Sequence, residues 1–217
     1  MIEVENFDIY SFEKSLGNKN NIPDEKGIYA WYLDFSKFKN FSTVDEFAEK
    51  MNLLNSLISL DKLNGSVKSF FRKYNVEINE NRSFIEKFYI EETEEEIIYG
   101  DKIQDLSLKE CRELMDLLAN FSLLVNPLYV GITVSFRKRY GQHQKSFLDI
   151  KKMRENNEEE ELILEKGLKS FGGRIASKDF KWEYLIFACV KKDIDRKIIG
   201  NAEFLINRFY NPLFGRR

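Results

Sequence analysis

Pro127-Leu128-Tyr129-Val130-Gly131-Ile132-Thr133-Val134-Ser135-Phe136-Arg137-Lys138-Arg139-Tyr140-Gly141-Gln142-His143 changes its period partway along, and that change decides the fold. Leu128 to Thr133 is a short β-prone run behind a proline, a residue that cannot sit inside a central strand. Ser135 then offers a helix N-cap, and the residues after it take helical spacing. Arg139 and His143 stand at i and i+4, so both project from one face of that helix. A tyrosine at a strand end, an arginine and the chain's single histidine are thereby drawn together. Working outward, Gly27-Ile28-Tyr29-Ala30-Trp31-Tyr32-Leu33 is a second β-prone run, also opened by glycine. Phe180 to Val190 is the clearest strand, with a second half suited to burial on both faces. Strands over 27–33, 128–133 and 180–190, with helices between them, predict an α+β domain.

The remaining segments are read from their punctuation. Thr43-Val44-Asp45-Glu46 matches a capping box, with Phe47, Met51, Leu54 and Ile58 following at helical spacing. Gly65-Ser66 breaks that helix, and Val67, Phe70, Phe71 and Tyr74 suggest another short one. Residues 84–99 are ambiguous, because glutamates interrupt the alternation around Phe88-Tyr89-Ile90. Ser107-Leu108-Lys109-Glu110 is a second capping box, opening a helix to about Leu124. Glu158 to Glu161 begins a further helix that Gly172-Gly173 stops. The last helix runs from about Asp195 to Tyr210. Ile198, Ile199, Ala202, Leu205, Ile206 and Phe209 form its apolar stripe, with Glu203 beside it. The whole of 1–217 reads as one domain carrying a mainly helical insertion over 38–124.

Composition narrows the class. The chain has 217 residues, of which 43% are hydrophobic and 32% charged, as a folded globular domain requires. No run approaches the ~20 apolar residues of a membrane span. Met1-Ile2-Glu3-Val4-Glu5 lacks the basic and apolar regions of a signal peptide, so a cytoplasmic location is expected. Cys111 and Cys189 each sit in an apolar segment and read as buried free thiols. One histidine and no cysteine cluster argue against structural zinc, and point any metal site to a hard cation held through oxygen. The net charge is −2, but Leu128 to Arg154 holds seven basic residues against Asp149 alone. An acidic protein with positive charge concentrated there can still attract phosphate locally.

Gly27-Ile28-Tyr29 and Tyr129-Val130-Gly131, followed by Arg139 and His143, resemble the GIY-YIG nuclease family, with valine as a common variant of the second signature. The family carries an arginine about two turns beyond the second glycine and often a histidine one turn later. It also carries a metal-binding glutamate on a late helix, which Asn201-Ala202-Glu203-Phe204-Leu205-Ile206 resembles. The likeness covers about 24–36 and 126–217. It implies a three-stranded antiparallel sheet flanked by helices. Two departures stand out. Tyr29 and Tyr129 lie 100 positions apart where the family has a short hairpin connection. Asn211-Pro212-Leu213-Phe214-Gly215 has glycine where the family places an asparagine, so either Asn211 takes that role or the role is absent.

The resemblance implies hydrolysis of a phosphodiester in DNA, leaving a 5′-phosphate and a 3′-hydroxyl. Tyr29 is then the general base or the group that orients the water. A free phenol has a pKa near ~10 and needs help to act as a base at neutral pH. Arg139 would hold the scissile phosphate, and Tyr129 and His143 would position water, Tyr29 or phosphate. Glu203 would bind one Mg²⁺ or Mn²⁺. Lys138, Lys145 and Asn211 are the nucleic-acid contacts expected. The insertion would carry substrate recognition or homodimer contacts, or simply cap the sheet. Two other readings stay open: a nucleic-acid-binding module of the same fold without turnover, and an interaction domain working through the insertion.

Overall fold

The computed structural model describes residues 7–58, 63–68, 73–78, 106–124, 126–191, 201, 203–208, 212 and 214. Its strands are β1 (Phe7–Tyr10), β2 (Gly27–Leu33), β3 (Leu63–Lys68), β4 (Lys73–Ile78), β5 (Tyr129–Thr133) and β6 (Leu185–Lys191). Its α-helices are α1 (Phe12–Ser15), α2 (Val44–Ile58), α3 (Leu108–Asn120), α4 (Phe136–Glu155), α5 (Glu160–Gly167) and α6 (Phe171–Ser177). The protein is α+β, and its main sheet has four strands where three were expected. The order is β1-β6-β2-β5, with every pairing antiparallel. The added strand, β1, pairs with β6 along Phe7–Val190 to Tyr10–Phe187.

The chain divides into two compact units, Met1–Lys39 with Met115–Arg217, and Asn40–Leu114. In the first, β2 alternates inward and outward, burying Tyr29, Trp31 and Leu33 on one face. The five residues Leu185 to Cys189 of β6 are all buried, as its unbroken apolar run demands. Ser135 caps α4 by accepting from the Lys138 amide at 3.1 Å. That helix buries Phe136, Tyr140, His143, Phe147, Ile150 and Met153, a stripe at spacings of three and four. The five apolar members contribute about 1.5–3 kcal/mol each by leaving water, so burial rather than propensity holds α4 on the sheet. A polar tie fixes its roll: Trp182 Nε1 donates to Tyr140 Oη at 3.0 Å.

Elsewhere the expectations are corrected in five places, the first being that the strand expected over 180–190 begins only at Leu185, behind a 3-10 turn over Trp182–Tyr184. Where a short helix was expected around Val67 to Tyr74, the described residues form an antiparallel strand pair, with Leu63 opposite Ile78 and Lys68 opposite Lys73. Tyr74, Val76 and Ile78 recur at period two there, so the insertion is not wholly helical. α3 ends at Asn120, and turns follow to Leu124. α5 already ends at Gly167, and Gly172-Gly173 lie inside α6 instead of stopping a helix. Residues 201 and 203–208 are helical as expected, but Leu205 is exposed and not core-facing. Ile198, Ile199, Ala202, Phe209 and the segment 84–99 lie outside the described residues. The Ser107 capping box forms in full, Ser107 exchanging bonds with Glu110; at Thr43 the Glu46 amide donates to Thr43 Oγ1, but the Glu46 carboxylate accepts from the Ser42 amide instead. Both cysteines are buried free thiols. Among the described residues, no helix is long and apolar enough to cross a membrane.

Candidate active site

β2 is hydrogen-bonded on both sides, and Tyr29 sits at its middle, opposite Gly131 of β5 and Cys189 of β6. Its hydroxyl reaches His143 Nε2 at 3.0 Å. Tyr129, from the start of β5, completes the cluster with its ring 6.0 Å from Tyr29 and 5.6 Å from His143. Gly131 makes this possible, because a Cβ there would lie 2.6 Å from Tyr29 Oη and 3.0 Å from the Tyr129 ring. The glycine of the second signature is therefore the space in which the two phenols meet.

Arg139 is half-buried one turn before His143, and its Nε is buried without a hydrogen-bond partner among the described residues. Its charge is felt by both neighbours. Burial, reinforced by Arg139, pushes the His143 imidazole down to about 3, so it is neutral at pH 7. Burial also raises the Tyr29 phenol above its ordinary value. Tyr129 adds to that rise, Arg139 opposes it, and Glu203 adds a smaller upward push. Glu203, half-buried on the late helical segment, is thus close enough to Tyr29 to act on it electrostatically. Its backbone carbonyl accepts from Asn207 Nδ2 at 2.9 Å.

Tyr29, Tyr129, Arg139, His143 and Glu203 are accordingly brought into one neighbourhood. Lys138 and Lys145 are not: both are exposed, on the side of α4 away from the stripe that contains His143. Asn211 and Gly215 lie outside the described residues. Among the described residues, no group of three or more histidine, cysteine or acidic side chains gathers to hold a metal. One carboxylate, Glu203, fits a hard cation that keeps most of its water, and nothing more demanding.

Two residues with a part in the site escaped the sequence reading. Phe171, 2% exposed, sets its ring edge-on to His143 at 5.5 Å and tilted to Tyr129 at 5.4 Å. Gly172 lets α6 approach the backbone of α4, since a Cβ there would collide with the His143 carbonyl oxygen. The available signal was Ser170, which caps α6 by accepting from the Gly173 amide at 3.1 Å. Comparison with models of known families, with curated proteins and with solved structures finds no match.

Proposed function

We propose that this protein is a phosphodiester hydrolase, and within that class a metal-dependent DNA endonuclease. The observation that carries the reading is the buried Tyr29–His143 hydrogen bond, formed across 114 positions of sequence and flanked by Tyr129 and the Arg139 charge. A neutral phenol beside a neutral imidazole is poor equipment for removing a proton outright. Passing the Tyr29 proton to His143 would work against both shifts, one upward and one downward. Tyr29 would therefore orient the attacking water: in the tautomer that leaves His143 Nε2 bare, the phenol donates to it and accepts from the water on its own oxygen. Arg139 neutralises charge growing on the phosphate, where its unpartnered Nε is available as a donor. Glu203 would hold Mg²⁺ or Mn²⁺, which when bound supplies an acidified water and further charge neutralisation.

A plasmid-nicking assay with and without Mg²⁺, on the wild type and Glu203→Gln, tests the reading. Cleavage that needs both the metal and Glu203 is expected, with DNA binding retained in the variant. Calorimetry of Mg²⁺ in the presence of uncleaved DNA should show weaker metal binding by Glu203→Gln. Equal metal affinity in the two proteins removes Glu203 as the ligand. The burial of Tyr29 favours one other reading, a DNA-binding module without turnover. Tight binding with no nicking under any metal would establish that instead.

A further inference from the structure

α4 has a flank that the candidate centre does not use up. Arg139, Gln142, Ser146, Asp149, Met153 and Asn156 recur at alternating spacings of three and four, so they form one line along the helix. Arg139 begins that line. Its far end becomes one wall of an open cavity of about 630 Å³, faced by Lys166, Lys169 and Ser170. That volume falls within the roughly 300–1,000 Å³ of clefts that take a small molecule or a comparable piece of a larger one. Ser146 lies one turn beyond His143, and Ser170 directly precedes Phe171, so both rims adjoin residues that pack around the centre.

The lining is polar and cationic. Lys152, Lys166 and Lys169 contribute three positive charges against two negative ones from Asp149 and Glu158. Lys169 is paired with Glu165 at 3.0 Å. Lys152 and Lys166 make no ion pair among the described residues. Two unpaired ammonium groups beside the Ser146 and Ser170 hydroxyls and the Asn156 amide suit a phosphodiester chain. A net lining charge of +1 is a weak attractor for a free phosphate ion. It is enough for a polymer already engaged at Arg139, because the second contact is then intramolecular.

We infer that this groove is a second backbone-binding site for the substrate polynucleotide, and the identity of that polymer rests on the nuclease reading. From Arg139 to Lys152 the helix rises about 20 Å, at about 1.5 Å per residue. At roughly 3.4 Å per base step this places the groove about half a duplex turn from the scissile phosphate.

Fluorescence anisotropy of the full chain, without divalent metal, on a labelled duplex two helical turns long gives the test. Lys152→Ala/Lys166→Ala is compared with the charge-matched outer pair Lys14→Ala/Lys181→Ala, on α1 and just before β6. All four lysines are exposed, so both double variants should fold. The groove pair should weaken binding and flatten the dependence of log affinity on log salt by about two. The outer pair should change it by less than half as much. The groove pair's loss should vanish on a duplex too short to span from Arg139. Equal losses from the two pairs, or a loss independent of duplex length, would overturn the groove. Groove-dependent binding without Mg²⁺-dependent cleavage would sink the nuclease reading and keep the groove. Cleavage with unchanged binding by the groove pair would do the reverse, and absence of nucleic-acid binding at low salt would overturn both.

Discussion

The two halves of the candidate centre are built in opposite ways. Tyr29 and His143 belong to a packed aromatic layer, with Phe187 stacked 5.5 Å from Tyr29 and Trp31 set edge-on to His143 at 6.0 Å. Their hydrogen bond is fixed by a central strand on one side and by the buried stripe of α4 on the other. Arg139 and Glu203 are half-exposed and sit on helices. Burying a charge without a partner is expensive, whereas a phenol and an imidazole can satisfy each other. The neutral pair is therefore held by packing and by its own hydrogen bond, whereas Arg139 and Glu203 keep part of their surface open to solvent.

Arg139→Ala strikes the open half and should have the largest effect. Cleavage should fall by about 10²–10³-fold, the usual consequence of removing one transition-state donor. Stability should move by no more than ~0.5 kcal/mol, because few packing contacts are lost. Nicking rates and thermal melts measure the two quantities, and a well-folded variant with full turnover would break the contrast. Gly172→Ala strikes the packed half. The new methyl would meet the His143 carbonyl and lie 2.8 Å from Ser146 Oγ. Overpacking of this kind costs about 1–3 kcal/mol, or more where backbone must shift. Chemical denaturation checks it; a neutral outcome would mean that α6 is not what locates His143.

The pH dependence sharpens the comparison further. His143 is held near 3 in the folded state, below its ordinary value near 6.5. The unfolded chain therefore binds the extra proton first, and stability falls as pH drops from about 6.5 toward 3. The slope approaches about 1.4 kcal/mol per pH unit, and His143→Gln should flatten it in urea titrations taken across that window. An unchanged profile would mean that His143 is not sealed from water. Ser170→Ala should have the smallest effect, about 1 kcal/mol from the lost cap of α6, measurable as a shift of the urea midpoint at constant slope.

Much of the packed half was legible in the sequence. Gly27, Pro127 and Ser135 punctuate β2, β5 and α4, and the change from period two to period 3.6 at Ser135 is a local property. β1 was not legible: four residues extend only because the β6 edge, far along the chain, offers them a ladder. Gly172-Gly173 misled for a related reason. A glycine pair stops a helix when only the local chain decides, but here closeness to α4 requires Gly172 to be bare and closeness to Gly167 at the end of α5 requires the same of Gly173. The ordered tyrosines, arginine and histidine marked the site. Their spacing said nothing of burial, and so could not show that Tyr29 and His143 are both held in their neutral forms.

β2 has a consequence for how the protein is made. Both of its neighbours are encoded downstream, and the farther one ends at Lys191. A ribosome that has finished Leu33 has produced a strand with nothing to pair against in the sheet. Tyr29 must then wait, through the synthesis of the 40–114 unit and of α4, for β6 to emerge. Closing such distant pairings is slow as well as late. The centre thus comes into being only once β6 has been made, and a chain halted before Lys191 carries both tyrosines without the completed sheet that sets them against His143.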